Sequence, residues 1–252
     1  RGEYSVSAMI DLGDKYPDSF PILHRVVRAS DGTLLQVVME KLKGMTLSKF
    51  LSIHALDEEE SPAIDLSVKL DIALKIALAL NCLHMSGKVH RDLKPSNIFL
   101  TENGKVKIFD FMHTKCRKKD GFRQGVFAGT PSYASPESFL DVTSVDHRSD
   151  LFALGIILEE LFTGERFYGS GASFFDIINA IDGEDNLFEG LPPGTPIVVC
   201  EVVKSLLYCD PGLRPRTVLE VGRNLAELLI EREPYLRLQE PYYSFLGRAT
   251  GL

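Results

Sequence analysis

The stretch Val89–Met112, V-H-R-D-L-K-P-S-N-I-F-L-T-E-N-G-K-V-K-I-F-D-F-M, constrains this chain more than any other. It holds two short apolar runs, Asn97–Leu100 and Val106–Phe109, separated by Glu102-Asn103-Gly104. Asn-Gly between two such runs is a strong signal for a tight β-hairpin. A hairpin brings the outer ends of its strands together, so Asn97, just before the first, is expected beside Asp110, just after the second. An amide oxygen next to a carboxylate makes a hard-oxygen site that suits Mg²⁺. Asp92 and Lys94 stand on the loop leading into the hairpin. The carboxylate can accept a hydroxyl proton, and the ammonium can sit on a phosphate. A base, a cation and metal ligands in one short segment are the parts that phosphoryl transfer needs.

The flanking sequence builds a frame for that segment. Glu3–Leu12 places Val6, Met9 and Ile10 on one face of a helix. Ile22–Val27 and Leu34–Glu40 read as strands joined by the turn Ser30-Asp31-Gly32. Thr46–Ile53 follows as a short helix, and Asp57–Glu60 as a solvated acidic loop. Ser61-Pro62 has the N-cap and first-turn chemistry to open a long helix that runs to about His84 and ends before Gly87. From Ile72 to Leu83 that helix is apolar on most faces, which predicts burial. Beyond the hairpin, Thr114–Phe127 reads as a basic loop with Lys115, Arg117, Lys118, Lys119 and Arg123. Val198–Leu207 and Thr217–Ile230 have helical apolar spacing, and Pro234–Leu246 is an aromatic tail expected to pack on the body of the protein.

His90-Arg91-Asp92-Leu93-Lys94-Pro95-Ser96-Asn97 resembles the catalytic loop of protein kinases at every defined position, and Asp110-Phe111-Met112 sits where that family carries D-F-G. Lys94, two residues after Asp92, resembles the serine/threonine rather than the tyrosine branch. Gly129-Thr130-Pro131-Ser132-Tyr133-Ala134-Ser135-Pro136-Glu137 is similar to the family's G-T-x-x-Y-x-A-P-E, with Ser135 in place of Ala. Asp146–Gly155 and Asp210-Pro211-Gly212-Leu213-Arg214-Pro215 resemble two later motifs, and the wording around Asp150 is close to bacterial, eukaryote-like kinases.

The resemblance implies an α+β, protein-kinase-like two-lobe fold. Residues 1–40 would be a remnant of the smaller lobe, 41–46 the hinge and 47–252 the helical larger lobe with the catalytic and activation loops. It implies ATP and Mg²⁺ as cofactors and a protein serine or threonine hydroxyl as acceptor. Asp92 would be the base, Lys94 the cation on the transferred phosphoryl group, and Asn97 and Asp110 the metal ligands. Met39 as gatekeeper, the backbone of Glu40 and Leu42, and Phe99 would contact the nucleotide. Asp150 would accept backbone N–H bonds from the catalytic loop, and Arg214 would pair with Glu137. Thr130 would contact Asp92 and Lys94. The basic run and Arg91 either receive a phosphate on Thr114, Thr130 or Ser132, or are solvated charge. Glu3 is either the acid that pairs with the ATP-anchoring lysine or a solvated end.

Two departures bear on activity. No G-x-G-x-x-G-x-V or V-A-I-K precedes Glu3, and the first lysine, Lys15, follows the first helix. This stretch is therefore expected to be part of a longer protein and to transfer no phosphate by itself. Met112 replaces a glycine, and its side chain restricts the backbone. The alternative function is a pseudokinase scaffold that binds a partner without phosphotransfer. A small-molecule kinase of the aminoglycoside type shares the base and metal ligands but lacks Ser135-Pro136-Glu137 and Asp210…Arg214. A net charge of −7 argues against a general nucleic-acid surface. Four cysteines without a C-x-x-C pair read as reduced thiols in the cytoplasm. No apolar run is long enough to span a bilayer, so no membrane contact is expected within this chain.

Overall fold

Helical spacing of Val6, Ala8, Met9 and Leu12, all buried, produces α1 (Gly2–Lys15). After it, β1 (Leu23–Arg28) and β2 (Leu34–Met39) pair antiparallel with Val26 opposite Val37. Gly32 supplies the left-handed turn between them at φ 85°. The computed structural model describes residues 2–55, 64–111, 115–116, 129–140, 145–169 and 173–232, with backbone alone at 2–5, 35, 55, 115, 116, 140 and 174. The expectations placed on Asp57–Glu60, Ser61-Pro62, Met112, Thr114, Arg117–Phe127, the 234–246 tail and the Glu3 side chain lie outside the described residues.

β3 (Gly44–Thr46) and α2 (Leu47–Ala55) lead to α3 (Leu66–Met85). The described part of α3 starts later than the Ser61-Pro62 pair suggests. Asp65 is its N-cap, accepting the Ser67 N–H at 2.7 Å. An aspartate facing the first N–H groups does what Ser61 was expected to do, one turn further on. At the other end Gly87, at φ 71°, turns the chain out of the helix into β4 (Lys88–Val89). The hairpin forms as the Asn-Gly signal requires. β5 (Ile98–Thr101) and β6 (Val106–Ile108) pair antiparallel with Ile98 opposite Ile108, and β3 adds to β5 as a third strand. β7 (Lys115–Cys116) pairs with β4.

Among the described residues five more α-helices follow: α4 (Pro136–Leu140), α5 (Arg148–Thr163), α6 (Phe174–Ile181), α7 (Ile197–Leu206) and α8 (Val218–Arg232). α3 and α5 are buried on nearly every face, as their apolar runs require, and form the centre of one continuous core. α3 packs on α8, α5 and β6, and α5 packs on α7. Gly155 sets how closely α5 and α7 approach, because a Cβ there would meet Leu206 Cβ at 2.8 Å and Leu207 Cδ2 at 2.9 Å. The architecture is α+β: α1 packs on β1 and β2, and α3 packs on β4 and β6. No helix among the described residues is long and apolar enough to cross a membrane.

Buried charges tie this frame together. Arg214 meets Glu137 in a two-pronged pair at 2.8 Å on each prong, and its guanidinium also lies 4.8 Å from the Phe152 ring centroid. Glu137→Ala leaves that guanidinium buried without its partner. Urea denaturation should show a loss of about 3–5 kcal/mol, the range for breaking one side of a buried pair.

Glu159 on α5 is a less comfortable acid. Its Oε2 is buried with no hydrogen-bond partner. Burial first, then the charges of Glu189 and Glu160, push its carboxyl up to about 7. The folded protein thus keeps this proton while the unfolded chain loses it between pH 4.5 and about 7, and stability falls as pH rises through that window. Glu159→Gln, which mimics the neutral acid, should raise the melting temperature relative to wild type above the window and leave it nearly unchanged below.

Candidate active site

The loop between β4 and the hairpin has an unusual backbone. Arg91 sits at φ 68° and Asp110, at the far end of the hairpin, at φ 63°, both in the region that side chains disfavour. The surroundings over-determine the first of these. Asp150, 1% exposed near the start of α5, accepts the His90 N–H at 2.9 Å on Oδ2 and the Arg91 N–H at 2.8 Å on Oδ1. His84 Nε2 lies 2.9 Å from the same Oδ2. Burial pushes the Asp150 carboxyl up, but the hydrogen bond from His84 and the backbone N–H of Arg91 outweigh it, and Asp150 lies below the usual carboxylate range.

His90 is fully buried. Its Nδ1 accepts the Asp92 N–H at 3.3 Å, which makes Nε2 the donor to the Phe109 carbonyl at 3.2 Å. The ring is therefore neutral and joins the loop to the hairpin's second strand. It packs at a 56° tilt and 5.6 Å on Phe111, which in turn meets Phe20 at 5.7 Å, so the residue after Asp110 is anchored on the chain that follows α1.

Asp92, 6% exposed, is the centre of a compact polar cluster. Lys94 Nζ lies 2.9 Å from its Oδ2 and donates to Thr130 Oγ1 at 2.6 Å. Thr130 Oγ1 donates to Asp92 Oδ1 at 2.8 Å. Thr130 reaches this point because Gly129, at φ 134°, runs against the loop; a Cβ there would fall 2.8 Å from the Arg91 carbonyl. Asn97, on the short 3₁₀ turn Pro95–Asn97, donates Nδ2 to the Asp92 carbonyl at 2.9 Å and to Asp92 Oδ2 at 3.4 Å. With the amide nitrogen spent in this way, Oδ1 is the polar atom left to Asn97.

The Phe109 N–H donates to the Asn97 carbonyl at 3.1 Å, so Asp110, the next residue, follows directly from the open end of the hairpin beside Asn97. This is the closeness expected from the turn. The donor set, one amide oxygen and one carboxylate, fits Mg²⁺, which binds few protein ligands and completes its shell with water and phosphate. Among the described residues no group of three or more His, Cys, Asp or Glu forms a cage for another metal.

The residues expected around a nucleotide lie along β2, the link after it, and β5. Met39 ends β2 at 38% exposure, and Leu42 and Phe99 are half-buried. The Glu40 N–H is committed to the Ile22 carbonyl at 2.9 Å, which leaves its carbonyl for a base edge. The Glu40 side chain is engaged as well, with the Ile22 N–H at 3.0 Å and with Lys107 in a short ion pair.

On the other side of Lys94, Pro95 and Ser96 open onto a groove of about 710 Å³, lined further by Lys49, Ser52, Glu160 and Arg166. Two of these lining residues are joined through Tyr133: Arg166 Nη1 donates to Tyr133 OH at 2.7 Å, and Tyr133 OH donates to Glu160 Oε2 at 2.8 Å. Burial, then the Glu160 charge, pushes the Tyr133 phenol far up, so it stays protonated and donating. Sequence reading passed over His84, Lys107, Glu160 and Arg166. Each works through a partner far along the chain, and none carries a local signal.

A family model described as a protein kinase domain matches residues 22–216. The chain belongs to the protein kinase family. A probable serine/threonine-protein kinase of Clostridium perfringens is 30% identical over 199 residues, 79% of this chain and 28% of that protein. One of Clostridium acetobutylicum is 35% identical over 217 residues, 84% of this chain and 32% of the relative. The interferon-induced, double-stranded RNA-activated protein kinase of Rattus norvegicus is 30% identical over 193 residues, 77% of this chain and 35% of its own length. This kinase chain thus spans about a third of the length of these relatives.

Burial dominates the environment of His90 and pushes its imidazole below the ordinary 6.5, against the raising effect of Asp150. The unfolded chain then binds a proton that the folded kinase refuses, so stability is full above pH 6.5 and declines as pH falls below it. His90→Phe keeps a ring against Phe111 and cannot titrate. Its melting temperature should fall less steeply than that of wild type below pH 6.5.

Proposed function

We propose that this kinase transfers the γ-phosphate of ATP, with Mg²⁺, to a serine or threonine hydroxyl of a protein. The observation that carries this reading is the cluster at Asp92. Its carboxylate is gripped by Lys94 and Thr130 at one end of a loop whose other end supplies Asn97. Asp92 orients the acceptor hydroxyl and takes its proton. Lys94, already within 2.9 Å of that carboxylate, is placed to meet the charge that develops on the phosphoryl oxygens. Thr130 holds both side chains in one geometry, which is most of what such a reaction asks of a protein.

Asn97 Oδ1 and Asp110 would hold the metal, which supplies charge neutralisation at the phosphates. Met39, the Glu40 carbonyl, Leu42 and Phe99 would bind the adenine. We assign residues 1–40 to the smaller lobe, 41–46 to the hinge and 47–252 to the larger lobe. We read the compartment as cytoplasmic, a setting that keeps thiols such as Cys82, Cys200 and Cys209 reduced.

Phosphate incorporation from ATP into a serine/threonine protein substrate by the full-length protein tests the reading. Asp92→Asn should lower kcat by about 10²- to 10⁴-fold, the span associated with a positioned general base. Incorporation at the wild-type rate in that variant would remove Asp92 from the mechanism. Thr130→Val should lower kcat more than it raises KM for ATP, because it loosens Asp92 and Lys94 and leaves the adenine contacts alone.

A further inference from the structure

The two N–H groups that Asp150 receives both come from the loop it supports. A carboxylate held only in this way can swing together with the loop, since nothing outside the pair defines its torsion. His84 changes this. It stands in the last turn of α3, one turn of chain before β4, on an element distinct from both the loop and α5. Its Nε2 is 2.9 Å from Asp150 Oδ2, the oxygen that also takes the His90 N–H. Asp150 is ionised and can only accept, so the hydrogen is on His84 Nε2.

The His84 ring is itself held in place. Its side chain is 10% exposed. His147 meets it edge-on at 5.5 Å between centroids, and His147 Nε2 donates to the Arg216 carbonyl at 2.9 Å. His84 Nδ1 is buried without a partner. A ring that leaves one nitrogen unsatisfied in the interior is kept for the bond its other nitrogen makes.

We propose that His84 is a positioning residue for the phosphotransfer site: its Nε2–H fixes the Asp150 carboxylate against α3, and so holds the left-handed Arg91 backbone that presents Asp92. The kinetic consequence rests on the reading of Asp92 given above; the structural consequence does not. Asp92 follows directly on Arg91, so a loop that relaxes at Arg91 moves the base away from Lys94 and Thr130.

Two variants and two measurements test this. His84→Leu fills similar space and donates nothing. His84→Gln can place an amide N–H on Asp150. Residue-resolved hydrogen exchange on the folded full chain reads the His90 and Arg91 amides directly and needs no catalysis. In His84→Leu those two amides should exchange about 10- to 100-fold faster, the factor for losing one hydrogen bond to an ionised group, with the core amides of α5 and α8 unchanged. His84→Gln should exchange there at close to the wild-type rate. In the phosphotransfer assay, His84→Leu should lower kcat with KM for ATP unchanged, and His84→Gln should restore it. Equal protection of the two amides in all three proteins overturns the proposal. So does a loss spread evenly over α5 and α8, which would mark His84 as a general packing residue. A wild-type protein that transfers no phosphate would overturn the kinase activity and leave the exchange result to decide the role of His84.

Discussion

Asp150 is ionised in a place where water does not reach, and the 90–97 loop depends on how that charge is satisfied. A carboxylate moved from water into a protein interior carries a large desolvation cost unless donors replace the lost solvent. Here the donors are the backbone of His90 and Arg91 and the ring of His84. The arrangement works in both directions. The loop satisfies the acid, and the acid holds the loop in a backbone conformation that a non-glycine residue avoids. Residues kept in such regions typically store about 1–3 kcal/mol, which is returned when the support is lost. Asp92 is the next residue along, so its position inherits the precision of the Asp150 contacts.

A second set of buried polar contacts delivers the other half of the cluster. Thr130 belongs to the segment 129–137, which is fixed at three points: Gly129 against the Arg91 carbonyl, Tyr133 on Glu160 and Arg166, and Glu137 on Arg214. The first of these anchors is the 90–97 loop itself, and the other two belong to α5, the chain just after it and the chain after α7. The 90–97 loop and the Thr130 segment thus both rest on α5, through Asp150 and Glu160, touch each other at Gly129, and converge at Asp92, Lys94 and Thr130. Their convergence explains why a cluster of one acid, one amine and one hydroxyl can have fixed geometry although it borders an open groove.

The hairpin was legible because its information is local. Asn103-Gly104 sets the turn, the apolar runs set the register, and the outcome brings Asn97 next to Asp110. α3 was legible because a helix apolar on most faces has nowhere to go but the core, whereas α5 was expected only through the resemblance of Asp146–Gly155 to a family motif. The described part of α3 begins at Leu66 under an Asp65 cap, while Ser61-Pro62 lies outside the described residues. The short helices α4 and α6 were not foreseen. For α6 a signal did exist: Ser173 and Asp176 form a reciprocal capping box, which a scan for paired capping residues would have found.

By itself the sequence determined the hairpin, the buried helix α3 and the identity of the side chains at the site, because turn chemistry and apolar periodicity act between near neighbours. Only the tertiary structure decided how those side chains are held. His84 meets Asp150 across 66 positions, Lys107 meets Glu40 across 67, and Tyr133 meets Glu160 across 27. Such pairs leave no periodic trace in the chain. They form because packing of the helices removes water from polar groups, and each group must then take whatever partner the fold has placed within reach.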